Sequence, residues 1–146
     1  MIIVLILILV MINFVILSKV KENTNLTIVK EKYYTLIDEI KKGNLPKKFN
    51  VLKKPFHITG YDNMSGYIGY NTNKGADIGL CLDGDPNDIF HVLLHELAHS
   101  TVKEYNHSEE FWNNFSELKD YCEKIGIYKR ITNKKKFCNK HIQDIK

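Results

Sequence analysis

Cysteine, proline and tryptophan are scarce in this 146-residue chain, which has three, three and one of them. Cys81, Cys122 and Cys138 cannot all pair within one chain, and none has the spacing of a metal motif. Core packing is therefore expected for Cys81, in a strand, and for Cys122, on a buried helix face. No internal repeat or low-complexity tract is present, which excludes a solenoid. Positive charge is missing before Lys19, and no small-x-small site follows the apolar start. Both absences argue against a cleaved signal peptide. The lysine runs lack the interleaved aromatics of a nucleic-acid platform, so nucleic acid is a partner without support.

The first seventeen residues, Met1 to Leu17, carry no charge and one polar side chain, Asn13. Such a run is near the lower limit for a membrane span, roughly 17–20 residues. Lys19, Lys21 and Lys30 follow it directly, so the positive-inside rule puts the rest of the chain on the cytoplasmic side of a single-pass membrane protein. The expected division is a transmembrane anchor over 1–20, a linker over 21–26 and one domain over 27–146. Two basic runs, Lys41 to Lys54 and Lys129 to Lys140, hold six basic residues each and no acid. Between Asp83 and Glu123 the balance reverses, with ten acids against Lys103 and Lys119. A solvated surface is the ordinary reading of such runs, and anionic headgroups or nucleic acid are the alternative.

His95-Glu96-Leu97-Ala98-His99 decides the chemistry. Imidazoles four positions apart on a helix face the same side and can grip one ion. Upstream, Asp85 is a candidate N-cap, Pro86 suits the first helical position, and Asp88 completes a capping-box-like pattern. Ile89, Val92, Leu93 and Leu97 add an apolar stripe, so a helix is expected from Pro86 to Thr101. One zinc ion with an open position lowers the pKa of a bound water to roughly 7, and Glu96 is placed to act as general base. The motif points to a peptide hydrolase.

A catalytic zinc usually takes three protein ligands. The long metzincin pattern would need a histidine where Tyr105 stands, and His107 follows two residues later. Ser108 can cap a second helix with Glu109 and Glu110 in its first turn. Phe111, Phe115, Leu118, Cys122 and Ile125 mark its buried face, and Gly126 its stop. His107 sits at the junction of the two helices and is the preferred third ligand. Glu117 and Glu123 are weaker, gluzincin-like alternatives. His91, one turn before His95, fits a supporting or rim position. Tyr105 and Tyr128 are donors that could serve an oxyanion, with ordinary packing as the alternative for each.

His-Glu-Leu-Ala-His, a short loop and Asn-His-Ser-x-x-Phe-Trp resemble the WLM and SprT-like zinc metallopeptidases. Leu80-Cys81-Leu82-Asp83, Asp88-Ile89 and Ile125 to Tyr128 are similar to segments of small WLM-like proteins of large DNA viruses. The likeness runs from about Asp77 to Cys138, with a longer gap between the second and third histidines than in cellular WLM proteins. It implies a zincin fold, one zinc ion, peptide-bond hydrolysis of protein or peptide substrates, His95, His99 and His107 as ligands and Glu96 as base. Two other functions compete: a non-catalytic, zinc-stabilised membrane adapter, and a DNA-associated protease using the lysine runs.

The remaining pattern reads as α+β. A helix is expected over Thr27 to Lys42, after a short linker at Asn23 to Asn25. One strand is expected around Phe49 to Ile58, and two more at Gly66 to Tyr70 and Ala76 to Leu82, joined by a turn at Asn71 to Gly75. Helix, small antiparallel sheet, metal helix and backing helix make a minimal zincin-like order. Ala76 to Leu82 is the expected edge strand for an extended peptide.

Overall fold

The structure, a computed structural model, describes residues 1–19 and 23–144. Helix α1 (Ile2–Lys19) is apolar on every side, and each apolar side chain from Met1 to Leu17 is at least 46% exposed. Among the described residues no helix is long and apolar enough to cross a membrane. That corrects the expected transmembrane anchor. Seventeen uncharged residues at 1.5 Å each rise about 26 Å, short of a hydrocarbon core of about 30 Å. The membrane partner and the cytoplasmic, single-pass placement rested on that anchor and have no support among the described residues. Residues 20–22 of the expected anchor and linker lie outside the described residues.

Helix α2 (Thr24–Lys41) begins earlier than its apolar pattern alone suggests. The side chain of Asn23 accepts from the backbone N–H of Asn25 and Leu26, satisfying donors that a helix start leaves open. Asn23 to Asn25 is thus a cap and first turn, which corrects the linker. Val29, Tyr33, Leu36, Ile37 and Ile40 are fully buried on one face. Next, the expected strand is replaced by a 3-10 helix (Lys47–Lys53) that buries Phe49 and Leu52. Pro46 is its N-cap, the chain turns extended at Lys54, and a strand begins only at Ile58.

Strands β1 (Ile58–Tyr61), β2 (Gly69–Thr72) and β3 (Asp77–Cys81) form a sheet in the order β1-β3-β2. Since β1 runs parallel to β3 and β2 antiparallel, the sheet is mixed rather than antiparallel. β3 is central and paired on both sides, so the expected edge strand is wrong. The edge beside the metal helix is β2. Tyr70 lies opposite Gly79, and a β-carbon on Gly79 would stand 2.1 Å from the Tyr70 ring, so glycine there lets the ring cover the sheet.

Helices α3 (Pro86–Ser100) and α4 (Glu109–Lys124) cover the other side of the core. Asp85 caps α3 by accepting from the N–H of Asn87 and Asp88, with Pro86 at the first turn as expected. Ser108 caps α4 by accepting from the Phe111 N–H. Gly126, at φ +78°, ends α4, with Ile127 N–H reaching back to the Cys122 carbonyl. A hairpin of β4 (Lys135–Phe137) and β5 (Lys140–Ile142), absent from the sequence reading, docks over the start of α3. Its Lys135 pairs with Asp85 and Asp88, and its Phe137 ring occupies the space a side chain on Gly84 would fill. Cys138 forms a disulfide with Cys81, which corrects the unpaired core-packing expectation for Cys81. Cys122 is free and buried, as expected.

Candidate metal centre

α3 brings the two motif histidines to one face, and α4 folds back so that its first turns lie behind them. The His95 ring rests on Phe111 (centroids 4.9 Å apart) and Phe115 (5.3 Å), and the His107 ring on Trp112 (5.3 Å). His107 therefore enters from the loop between the helices. Its Nε2 stands 3.1 Å from Nε2 of His95. One nitrogen from each of His95, His99 and His107 lies within 4.8 Å of the other two. A tetrahedral zinc with Zn–N near 2.0–2.1 Å needs nitrogens roughly 3.3 Å apart, so the separation fits a shared ion. Burial pushes the His95 imidazole down to about 3, with His99 and His107 adding to it. Burial likewise takes His99 down to about 4, helped by His107 and Lys74. Both rings are neutral at pH 7, as metal ligands must be. The donor set fits zinc.

Glu96 sits beside this cluster, 7% exposed, and burial raises its carboxyl to about 7. A cavity of about 350 Å³ opens over the histidines and Glu96, walled by Gly69, Tyr70 and Asn71 of β2 and by Tyr67, Lys74 and Tyr105. Gly69 has no room for a side chain: a β-carbon would stand 2.6 Å from Val92 and 3.0 Å from Glu96 Oε1. Asn71 ties β2 to α3 by donating to the Glu96 carbonyl (2.6 Å) and to Ser100 Oγ (2.8 Å). Neither residue stood out in the sequence, where both are ordinary turn or strand types.

The other expected residues divide. His91 is buried, and its Nδ1 lies 2.8 Å from the Tyr128 hydroxyl, which donates to Asp144. With that hydroxyl hydrogen committed, His91 is the donor in the first contact. His91 belongs to a buried network behind His95 that Lys119 and Asp144 complete. Tyr128 is spent in that network and is absent from the wall of the metal cavity, so it is withdrawn as an oxyanion donor. Tyr105 does line the cavity. Glu117 pairs with Lys48 and Glu123 with Arg130, so both alternatives to His107 point elsewhere. Part of each basic run is likewise spent on acids: Lys42 on Glu39, Lys48 on Glu117, Arg130 on Asp120 and Lys135 on Asp85.

Residues 56–141 match the WLM domain family. The chain belongs to that family. Two viral proteins are similar to part of this chain. Uncharacterized protein 136R of Invertebrate iridescent virus 6 is 31% identical over 93 residues, covering 64% of this chain and 45% of that protein. Uncharacterized protein R325 of Acanthamoeba polyphaga mimivirus is 35% identical over 91 residues, covering 56% and 45%. The chain thus spans less than half the length of these relatives. Among solved structures, Wss1 from Saccharomyces cerevisiae shares the fold at a TM-score of 0.55 and 22% identity, over 74% of this chain and 84% of that one.

Proposed function

We propose that this WLM protein is a zinc-dependent metallopeptidase that hydrolyses peptide bonds of protein substrates. The observation that carries the reading is the convergence of three imidazoles beside a buried carboxylate, facing an edge strand. His95, His99 and His107 would hold the zinc ion. Zinc bound there supplies Lewis acidity, making a water molecule a better nucleophile and polarising the scissile carbonyl.

The chain's own residues do the rest. Glu96 takes a proton from the attacking water as the new C–O bond forms. It then gives that proton to the amine nitrogen as the C–N bond breaks. A pocket that lifts its affinity for protons toward neutrality suits a carboxylate that must do both. β2 is an edge of its sheet, so an extended substrate can pair with its main chain along the cavity. Tyr105 lines the cavity and can donate to the oxyanion.

An adapter that uses zinc only for folding needs a fourth protein ligand. Among the described residues no other histidine, cysteine or carboxylate joins the three, which favours the enzyme. The test is Glu96→Gln in protein loaded with one zinc ion, assayed on an unfolded protein substrate. Zinc stoichiometry should persist while cleavage falls by about 10²–10⁴-fold. Cleavage at the parental rate would overturn the mechanism.

A further inference from the structure

The third histidine is held differently from the first two. His95 and His99 are fixed by the hydrogen-bonded ladder of α3, whereas His107 lies seven residues past its end, in a segment with no regular structure. A ligand on such a loop can share an ion with helix residues only if something outside the loop fixes it.

Lys74, on the turn between β2 and β3, makes the contacts that do so. Its Nζ donates to the carbonyls of Val102 (2.7 Å), Glu104 (2.8 Å) and His99 (3.3 Å). It also lies 4.3 Å from the centre of the Tyr105 ring. These carbonyls begin at the negative end of the α3 dipole and run out along the loop toward His107, so one ammonium neutralises both. An ammonium has three hydrogens, and three carbonyls take them. Lys74 is therefore no free cation for an oxyanion, although it lines the cavity.

The backbone gives independent support. Asn73 and Lys74 lie at φ +48° and +56°, in a turn closed by Gly75 N–H to the Thr72 carbonyl. Asparagine accepts that region readily, whereas lysine ordinarily avoids it. A lysine kept there against its backbone preference points to work done by its side chain.

We propose that Lys74 is the positioning residue for the third metal ligand. It clamps the loop after α3 so that His107 meets His95 and His99, and so sets the affinity of the site for zinc. The inference rests on the three-histidine reading above.

The test measures zinc affinity by chelator competition in the full chain, for the parent, Lys74→Met, Lys74→Arg and His107→Ala. Lys74→Met keeps the apolar stem and loses the donors, and its affinity should fall about tenfold to hundredfold, the usual cost of removing a group that orients a ligand. Lys74→Arg keeps the cation over Tyr105 and at the helix end, and should recover part of that loss. Limited proteolysis of the metal-free proteins adds a second readout: cleavage within residues 102–107 should quicken in both lysine variants while α3 stays intact. If Lys74→Met fails to fold, Lys74→Arg and proteolysis decide alone, and an unchanged rate of cleavage within 102–107 overturns the proposal. Affinity within twofold of the parent in both lysine variants overturns it too. The control separates the two claims. Parental affinity in His107→Ala sinks the three-histidine reading itself, whereas loss there with none in the lysine variants sinks only the assignment of Lys74.

Discussion

Gly69 on β2 and Glu96 on α3 are packed so closely that no side chain fits between them. A β-carbon on Gly69 would come within 3.0 Å of Glu96 Oε1, 2.6 Å of Val92 and 3.3 Å of the Gly79 carbonyl. The last contact is backbone and the second a buried side chain, so relief must come mainly from Glu96 or from a shift of β2. Gly69→Ala should therefore lower cleavage at least tenfold, since small misplacements of catalytic groups are costly. Zinc content should stay near parental, because the histidines are not in the clash. Measuring turnover and zinc together checks this. Full activity would mean that Glu96 need not sit where it does.

Zinc should also stabilise the fold. A ligand that binds only the native state adds RT ln(1 + [L]/Kd), about 4 kcal/mol at a thousandfold excess over Kd. For a domain of this size that raises Tm on the order of 10 °C or more. Chelation should reverse the shift in the parent, and the shift should be absent in His99→Ala. The His95 and His99 rings are half-buried and already supported by aromatics, so the metal-free protein should remain folded. A chelated parent without tertiary structure by near-UV circular dichroism would contradict this.

What could be read from the chain followed its strongest local chemistry. Asp85 and Pro86 announced α3, and Ser108 and Gly126 bounded α4, because caps act through side chains a few positions away. The pair His95 and His99 was legible from spacing alone, whereas His107 needed the helix turn-back that Phe111 and Phe115 enforce. Pairing between distant segments left no such trace. β1 runs parallel to β3 although both neighbour a hairpin, and Phe49 serves a 3-10 helix where its apolar character suggested a strand. The β4–β5 hairpin is short and lysine-rich, with no alternating pattern to reveal it. Its partners, Asp85 and Cys81, lie some fifty residues upstream. Asn71 and Lys74 fall in a stretch whose composition signals a turn, but Asn71 lies on β2 and only Lys74 in the turn. Their reach to α3 depends on a sheet order that sequence does not display.

The Cys81–Cys138 bond joins the end of β3 to the turn of that hairpin, closing a loop across 57 positions. The hairpin otherwise holds by Phe137 over Gly84 and by Lys135 on two acids, so the bond should carry much of the docking. Chain entropy assigns a loop of this length about 4 kcal/mol. Cys138→Ser, or reduction of the parent, should lower stability toward denaturant by an amount of that order. It should also expose the segment from Lys135 to Ile142 to limited proteolysis before the rest unfolds. Equal midpoints for oxidised and reduced protein would show that the other contacts suffice.

The network behind His95 predicts a dependence on pH. Burial drives the His91 imidazole down to about 4, with Asp144 opposing and Lys119 and Arg130 adding to the fall. Burial also works against the Asp144 carboxylate. Its bonds from Lys119, Tyr128 and the Ile131 N–H outweigh that and hold it below the usual range. Both groups bind protons less readily folded than unfolded, so the unfolded state takes up protons first as pH falls. For His91 the window runs from about 6.5, the unfolded value, to about 4. Stability is complete above that window and is lost progressively through it. The full difference is worth about 3 kcal/mol at most. His91→Asn removes the titrating ring but retains a polar group able to donate to Tyr128. The variant should lose stability less steeply than the parent between pH 6.5 and 4, whatever its stability at pH 7. Urea midpoints at half-unit intervals, with zinc removed from both proteins, would give the two slopes. Parallel curves would mean that His91 gains its proton in the fold as easily as in the open chain, and that the tyrosine–aspartate network does not keep it neutral.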